Sequence, residues 1–135
     1  MKRVTGIGGI FFKSKDPDSL KRWYGEHLGI PADEHGYTFQ WREESDREQV
    51  GFTVWSPFPH DTQYFNPSTA PFMINYRVDD LDGLLAALRE EGVAVEDPIQ
   101  EYEYGRFAWI NDPEGNRIEL WEPSRIPKSE TENVK

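Results

Sequence analysis

Glu119 lies in the run Arg117–Pro123 (RIELWEP), flanked by Ile118 and Leu120 and two positions before Trp121. Strand alternation sends Glu119 and Trp121 to one face and Ile118 and Leu120 to the other. A carboxyl set beside aromatic rings suits three kinds of chemistry: a general base, a ligand for a metal ion, or an acceptor paired across a cleft with a cation such as Arg77 or Lys13. Lys13 and Arg77 are themselves candidates to hold a carboxylate, phosphate or enolate of a ligand, arginine being the better bidentate donor. Phe11, Trp55, Met73 and Trp121 would enclose an aromatic or apolar molecule, with Thr53 and Asn75 adding polar groups.

Other chemistries are poorly provided for. The chain has no cysteine, so thiol catalysis, disulfides, zinc fingers and iron–sulfur clusters are excluded. His27, His35 and His60 have no metal-ligand spacing with one another, and His60, beside Asp61, is the one placed to reach over a cleft. Ser14, Ser19 and Ser56 stand at no recognisable triad spacing from a histidine. Gly6, Gly8 and Gly9 are followed by no immediate helix and no lysine–serine pair, which rules out a phosphate loop.

These residues must be positioned by strands and capped helices. Ile7–Ser14 is rich in strand formers, and Asp16, Pro17 and Asp18 then supply a cap, a proline at the first helical position and a favourable charge. Leu20, Trp23, Tyr24, His27 and Leu28 form one helical stripe, closed by Gly29. Tyr37–Trp41 alternates as a strand, Glu43–Glu48 is a hairpin loop, and Gln49–Ser56 returns. The proline-rich segment from Pro57 to Pro71 reads as a surface linker. The pattern then restarts, with a strand over Phe72–Val78, a cap at Asp80, a stripe of Leu81, Leu84, Leu85 and Leu88, and a stop at Gly92. Among the strands that follow, Arg106–Asn111 and Arg117–Glu122 are joined by the turn Asp112–Asn116.

The restart is a repeat. Sliding the chain by about 64 residues superposes Ile10 on Ile74, Asp16 on Asp80 and Leu20 on Leu84, and an offset of about 66 places Trp55 on Trp121. Two βαβββ modules, about residues 5–57 and 72–123, are therefore expected to pair through a linker at 58–71 within one domain of residues 1–124, followed by a loose tail at 125–135. Counting back from the caps, Ile10, Phe12, Ile74, Tyr76 and Val78 face the helices. Gly9, Phe11, Lys13, Met73, Asn75 and Arg77 face the cleft, together with Thr53, Trp55, Glu119 and Trp121.

With 25 acidic against 15 basic side chains the formal charge is −10, the wrong sign for following a phosphate backbone, so nucleic acid is not an expected partner. No window reaches the length of a membrane helix, and the opening apolar run of seven residues is too short for a signal peptide. A cytoplasmic location is the resulting expectation.

Taken together, GIGGIFFKSKDPDSLKRWYGEHLGI, its echo FMINYRVDDLDGLLAALREEGV and the hairpin DPEGNRIELWEP resemble the vicinal oxygen chelate superfamily, the glyoxalase, bleomycin-resistance and extradiol-dioxygenase group, over about residues 5–123. The resemblance implies an α+β fold in which two βαβββ modules form a cupped, partly open β-barrel, commonly in a homodimer, with a divalent metal where chemistry is done. Glu119 matches the last-strand metal ligand. The corresponding positions elsewhere are Gly9, Thr53 and Met73, so the ligand set is incomplete. The expectation is a protein that binds a small organic molecule in an aromatic-lined cup without a complete catalytic metal site. The alternative is a metal-dependent lyase, isomerase or dioxygenase using Glu119.

Overall fold

The computed structural model describes residues 3–44 and 46–124, without the side chain of Asp97; the tail expected at 125–135 lies outside the described residues. In chain order the elements are β1 (Val4–Ser14), α1 (Pro17–Leu28), β2 (Tyr37–Arg42), β3 (Val50–Pro59), β4 (Phe72–Val78), α2 (Leu81–Glu90), β5 (Val95–Tyr102), β6 (Gly105–Asn111) and β7 (Arg117–Pro123).

Both helices begin where carboxylates cap them. Asp16 accepts from the Ser19 backbone N–H at 3.1 Å and Asp80 from that of Gly83 at 3.0 Å. Gly29 ends α1 in the left-handed conformation, at φ 70°. The β6–β7 turn is built around Asp112, whose Oδ1 accepts from the backbone N–H groups of Glu114 and Asn116, both at 2.9 Å.

The strands form one open, mixed sheet in the order β2-β3-β1-β4-β7-β6-β5. At its centre β1 and β4 run antiparallel; outside them β3 lies parallel to β1 and β7 parallel to β4. Each module thus lays its last strand beside its first. The second module has three strands after its helix, whereas the first has two, and between α1 and β2 the chain makes only an isolated bridge, Asp33 to Gly36.

One face of the second module packs on α2 through Val78, Leu81, Leu84, Leu85, Ala108 and Leu120. Burying each of these leucines contributes about 1.5–3 kcal/mol. The opposite face carries an aromatic cluster of Phe65, Met73, Phe107, Trp109 and Trp121, with Phe11, Phe52 and Phe58 packed against it. That aromatic face is the cup. The contrast between the helices is large, for α1 has no buried residue, and it meets the sheet through Tyr24 on Trp55, ring centroids 4.9 Å apart.

Two features differ from the sequence expectation. Trp55 packs against Phe12 and Tyr24 on the α1 side rather than in the cup. The residue paired with Ile10 is Trp55, as Ile118 is paired with Ile74. The offset between these strands is therefore 63 (118 − 55), and its difference of three from 66 is odd, which exchanges the two faces. The segment 60–71, expected as a surface linker, crosses the cup and inserts Phe65, 0% exposed.

Candidate functional site

Glu119 sits at the floor of the cup, 3% exposed. Its strand neighbours are Asn75 on β4 and Trp109 on β6, each directly opposite it. Because paired residues on adjacent strands share a face, both side chains are delivered to the carboxyl. Asn75 Nδ2 donates to Oε1 at 2.7 Å, and Trp109 Nε1 donates to Oε2 at 3.0 Å. A third donor, the hydroxyl of Tyr64, comes from the strap at 60–71 and also meets Oε2. Burial first, and then the Glu119 charge, push the Tyr64 phenol up from its ordinary value, so the hydroxyl keeps its proton and donates.

The strap is held by several contacts. Tyr64 stacks on Phe58 at 5.7 Å with an interplanar angle of 9°, and meets Trp109 edge-on at 6.5 Å. Arg117 Nη1 donates to the Tyr64 carbonyl at 2.6 Å, while its guanidinium lies 4.9 Å from the Trp109 ring centroid and is paired with Glu96 at 2.9 Å. Phe65 packs on Phe58 at 5.4 Å, and the Lys13 ammonium lies 5.7 Å from the Phe65 ring centroid. Among the described residues, backbone bonds join this segment to the sheet only at its ends, the Thr62 N–H on the Pro59 carbonyl and the Lys13 N–H on the Pro71 carbonyl, so side chains hold its middle down.

Two positions along β4 from Asn75, Arg77 is 7% exposed. Its guanidinium lies 5.1 Å from the Trp41 ring centroid and 5.9 Å from that of Trp121, with Glu43 Oε1 3.7 Å from Nη1. Nε and Nη1 have no hydrogen-bond partner among the described residues. Burial pushes the guanidinium down from its usual value, and Glu43 and Asp79 oppose the shift. Glycines make the room: a Cβ on Gly8 would stand 2.2 Å from Asn75 Oδ1 and 2.9 Å from Trp121, and one on Gly6 2.6 Å from Trp41.

Of the residues singled out in the sequence, the cup brings together Phe11, Met73, Asn75, Glu119 and Trp121, with Arg77 beside Trp121 and Lys13 over Phe65. Thr53 is engaged elsewhere: its hydroxyl donates to the Ile7 carbonyl and accepts from Trp41 Nε1. Glu119 is paired with neither Arg77 nor Lys13, its described partners being the three neutral donors. Sequence reasoning missed Tyr64, Phe65, Trp109, Trp41, Phe52 and Phe58. Trp109 was within reach, since it alternates with Phe107 opposite Trp121 and Glu119, but nothing periodic marks Tyr64.

The donor set does not suit a divalent metal. Of the three groups on Glu119, an indole N–H cannot ligate, and the other two are a protonated phenol and an amide presenting its nitrogen. Gly9 and Met73 offer no nitrogen or oxygen side chain, and the Thr53 hydroxyl is occupied. Among the described residues no three His, Asp or Glu side chains come together as a metal-binding group. His27 packs against Trp23 with its ring tilted by 45°, His35 lies beside Glu34, and His60 is exposed.

No helix among the described residues is long and apolar enough to cross a membrane. A family model described as the Glyoxalase/Bleomycin resistance protein/Dioxygenase superfamily matches residues 6–120. No curated protein matches the chain. Among solved structures, the chain is similar to a methylmalonyl-CoA epimerase from Mycobacterium tuberculosis (22% identity, 93% of this chain and 92% of that one, TM-score 0.58). It is also similar to a Streptomyces coelicolor methylmalonyl-CoA epimerase in complex with 2-nitronate-propionyl-CoA (19% identity, 90% and 99%, TM-score 0.66). A third similar structure is an NAD-dependent benzaldehyde dehydrogenase from Legionella pneumophila (12% identity, 86% and 98%, TM-score 0.54). At these identities the likeness is one of fold.

Proposed function

Because the chain belongs to the glyoxalase/bleomycin resistance protein/dioxygenase superfamily, we propose that it binds a small organic ligand in its aromatic-lined cup without a catalytic metal ion. The observation that carries this reading is the closed set of neutral donors around Glu119, from Tyr64, Asn75 and Trp109. In such a site the protein's own groups supply orientation. The walls are Phe11, Met73, Trp109 and Trp121, the floor is the Glu119 carboxyl, and the buried Arg77 guanidinium, ion-paired with Glu43, adds positive charge beside Trp121 at one end. An apolar ligand would gain from the aromatic walls, and a few fixed polar groups would set its orientation. Trp55 and Thr53 take no part in this reading, because their contacts lie elsewhere. A second copy of the chain is the expected macromolecular partner, and apolar surface remains for it on the α1 side, where Trp23 is 51% and Leu28 61% exposed.

The test is elemental analysis of the untagged protein expressed with Mn, Fe, Ni and Zn supplied, followed by ligand titration read by tryptophan fluorescence. Substoichiometric metal, with saturable quenching by small aromatic ligands, is the expected result. About one metal per chain, lost in Glu119→Ala, would overturn the reading in favour of a metal-dependent lyase, isomerase or dioxygenase.

A further inference from the structure

Glu119 is buried, yet one of its three donors comes from a segment outside the sheet. Tyr64 belongs to the strap, and the residue is 39% exposed although its hydroxyl reaches the floor of the cup. The next residue, Phe65, is 0% exposed, and Ser68 is 4% exposed. The strap is therefore anchored by Phe65 and Ser68, while Tyr64 hangs at the mouth. Rotation about its χ1 would carry the phenol into solvent and leave Phe65 seated.

The space it would vacate has a defined chemistry. Phe58 forms a parallel wall and Trp109 a perpendicular one, both at ring-stacking distances. The floor is Glu119 Oε2, already accepting from Trp109 Nε1. Arg117 lies over the rings of both Tyr64 and Trp109, its charge held in place by Glu96. That guanidinium disfavours a cationic ligand, and the carboxylate disfavours an anionic one. What fits is a neutral planar ring bearing one hydrogen-bond donor.

We propose that the Tyr64 side chain is a built-in stand-in for the ligand, and that the cup takes a neutral phenol, whose ring replaces the Tyr64 ring between Phe58 and Trp109 and whose hydroxyl donates to Glu119. This rests on the reading of the cup as a metal-independent binding site and names its ligand class. Displacement exchanges one O–H donor for another, so Glu119 keeps its full set of partners and no buried acceptor is left unpaired. Burial and the Glu119 charge, which hold the Tyr64 proton in place, act alike on a bound phenol.

The test uses the 135-residue chain, p-cresol, toluene and p-nitrophenol, and follows the Trp109 indole N–H resonance, which reports directly on Glu119. The expected result is a saturable shift with p-cresol and binding about tenfold weaker with toluene, which lacks the donor. p-Nitrophenol is expected to bind in mild acid, where it is neutral, and to lose affinity in mild alkali, where it is ionised. Tyr64→Phe removes the competing hydroxyl and keeps the ring's packing, so p-cresol should bind it several-fold more tightly than it binds the natural chain. Tyr64→Ala gives the same comparison with the ring removed. Equal affinity for p-cresol and toluene would overturn the proposal, as would unchanged p-cresol affinity in both Tyr64 variants. Either result leaves metal-independent binding in the cup standing, whereas stoichiometric metal would remove that broader reading itself.

Discussion

Asn75 and Glu119 lie directly opposite one another on the parallel pair β4 and β7, and the amide donates to the carboxyl at 2.7 Å with both residues at most 3% exposed. Asn75→Asp replaces the donor by a second carboxyl with almost no change in shape. Two carboxyls in that position cannot both ionise cheaply, so the pair binds a proton more tightly in the folded than in the unfolded chain. A folded pKa raised above its unfolded value gives stability that is present at low pH and lost as pH rises through the folded value. Relative to the natural chain, the variant should therefore be least impaired near about pH 4 and progressively less stable toward about pH 7. Urea midpoints across that range check this, and a pH-independent deficit would contradict it.

Phe65 holds the strap over the cup by packing against Phe58 and the Met73–Trp109–Trp121 cluster. Phe65→Ala should destabilise the fold by about 3–5 kcal/mol, a magnitude belonging to core positions although the residue lies outside regular secondary structure. Chemical denaturation measures it. A loss below about 1 kcal/mol would mean that the strap is not part of the folded core.

Gly8 is required by proximity, its α-carbon lying beneath Asn75 Oδ1, Arg77 and Trp121. Gly8→Ala is expected to cost about 1–3 kcal/mol through displacement of these side chains. The Trp109 indole N–H resonance, coupled to Asn75 through Glu119, should shift in the variant. Full stability with an unmoved resonance would contradict the expectation.

Asp16 and Asp112 are held below the usual carboxylate range by the backbone N–H groups they accept, chiefly those of Ser19 and Asn116. A depressed folded pKa gives stability that is present above the unfolded value, about 4, and lost as pH falls through the folded one. Asp16→Asn and Asp112→Asn should therefore flatten the acid limb of the stability profile, with unfolding midpoints at about pH 6 and about pH 3 closer together than in the natural chain. An unaltered limb in both variants would refute this.

The exposed apolar groups of the first module, Ile7, Ile10, Trp23 and Leu28 among them, are expected to be covered by a second copy of the chain. Sedimentation equilibrium should show a dimer, and Trp23→Glu combined with Leu28→Lys should give a folded monomer. A monomeric natural chain would refute the expectation.

How far the sequence carried depended on whether a feature was local. Asp16 and Asp80 cap their helices as read, Phe72–Val78 is a strand with the expected bounds, and Ile118 and Leu120 face α2 while Glu119 and Trp121 face the cup. Each of these follows from a few adjacent residues. Trp55 was misplaced because its face depends on an offset between distant strands, where a slip by an odd number reverses every side chain. The count from the Asp80 cap makes Met73 the β4 counterpart of a ligand position, whereas Asn75, two residues on, is the one beside Glu119. The role of Tyr64 was not legible, since its segment has no periodicity and its position is set by Phe65 finding a gap among rings from four strands and by Arg117 holding its carbonyl.

The strap also sets how far the second module can reach from the first. Residues 60–71 are folded back on the cup, but a stretch of about twelve residues, if drawn out, spans roughly 40 Å. That reach would let β4 leave its own β1 and complete the sheet of a neighbouring chain, exchanging modules between copies while preserving every strand pairing. The seating of Phe65 keeps the connection short. The same ring that closes the cup therefore also favours self-completion over domain swapping.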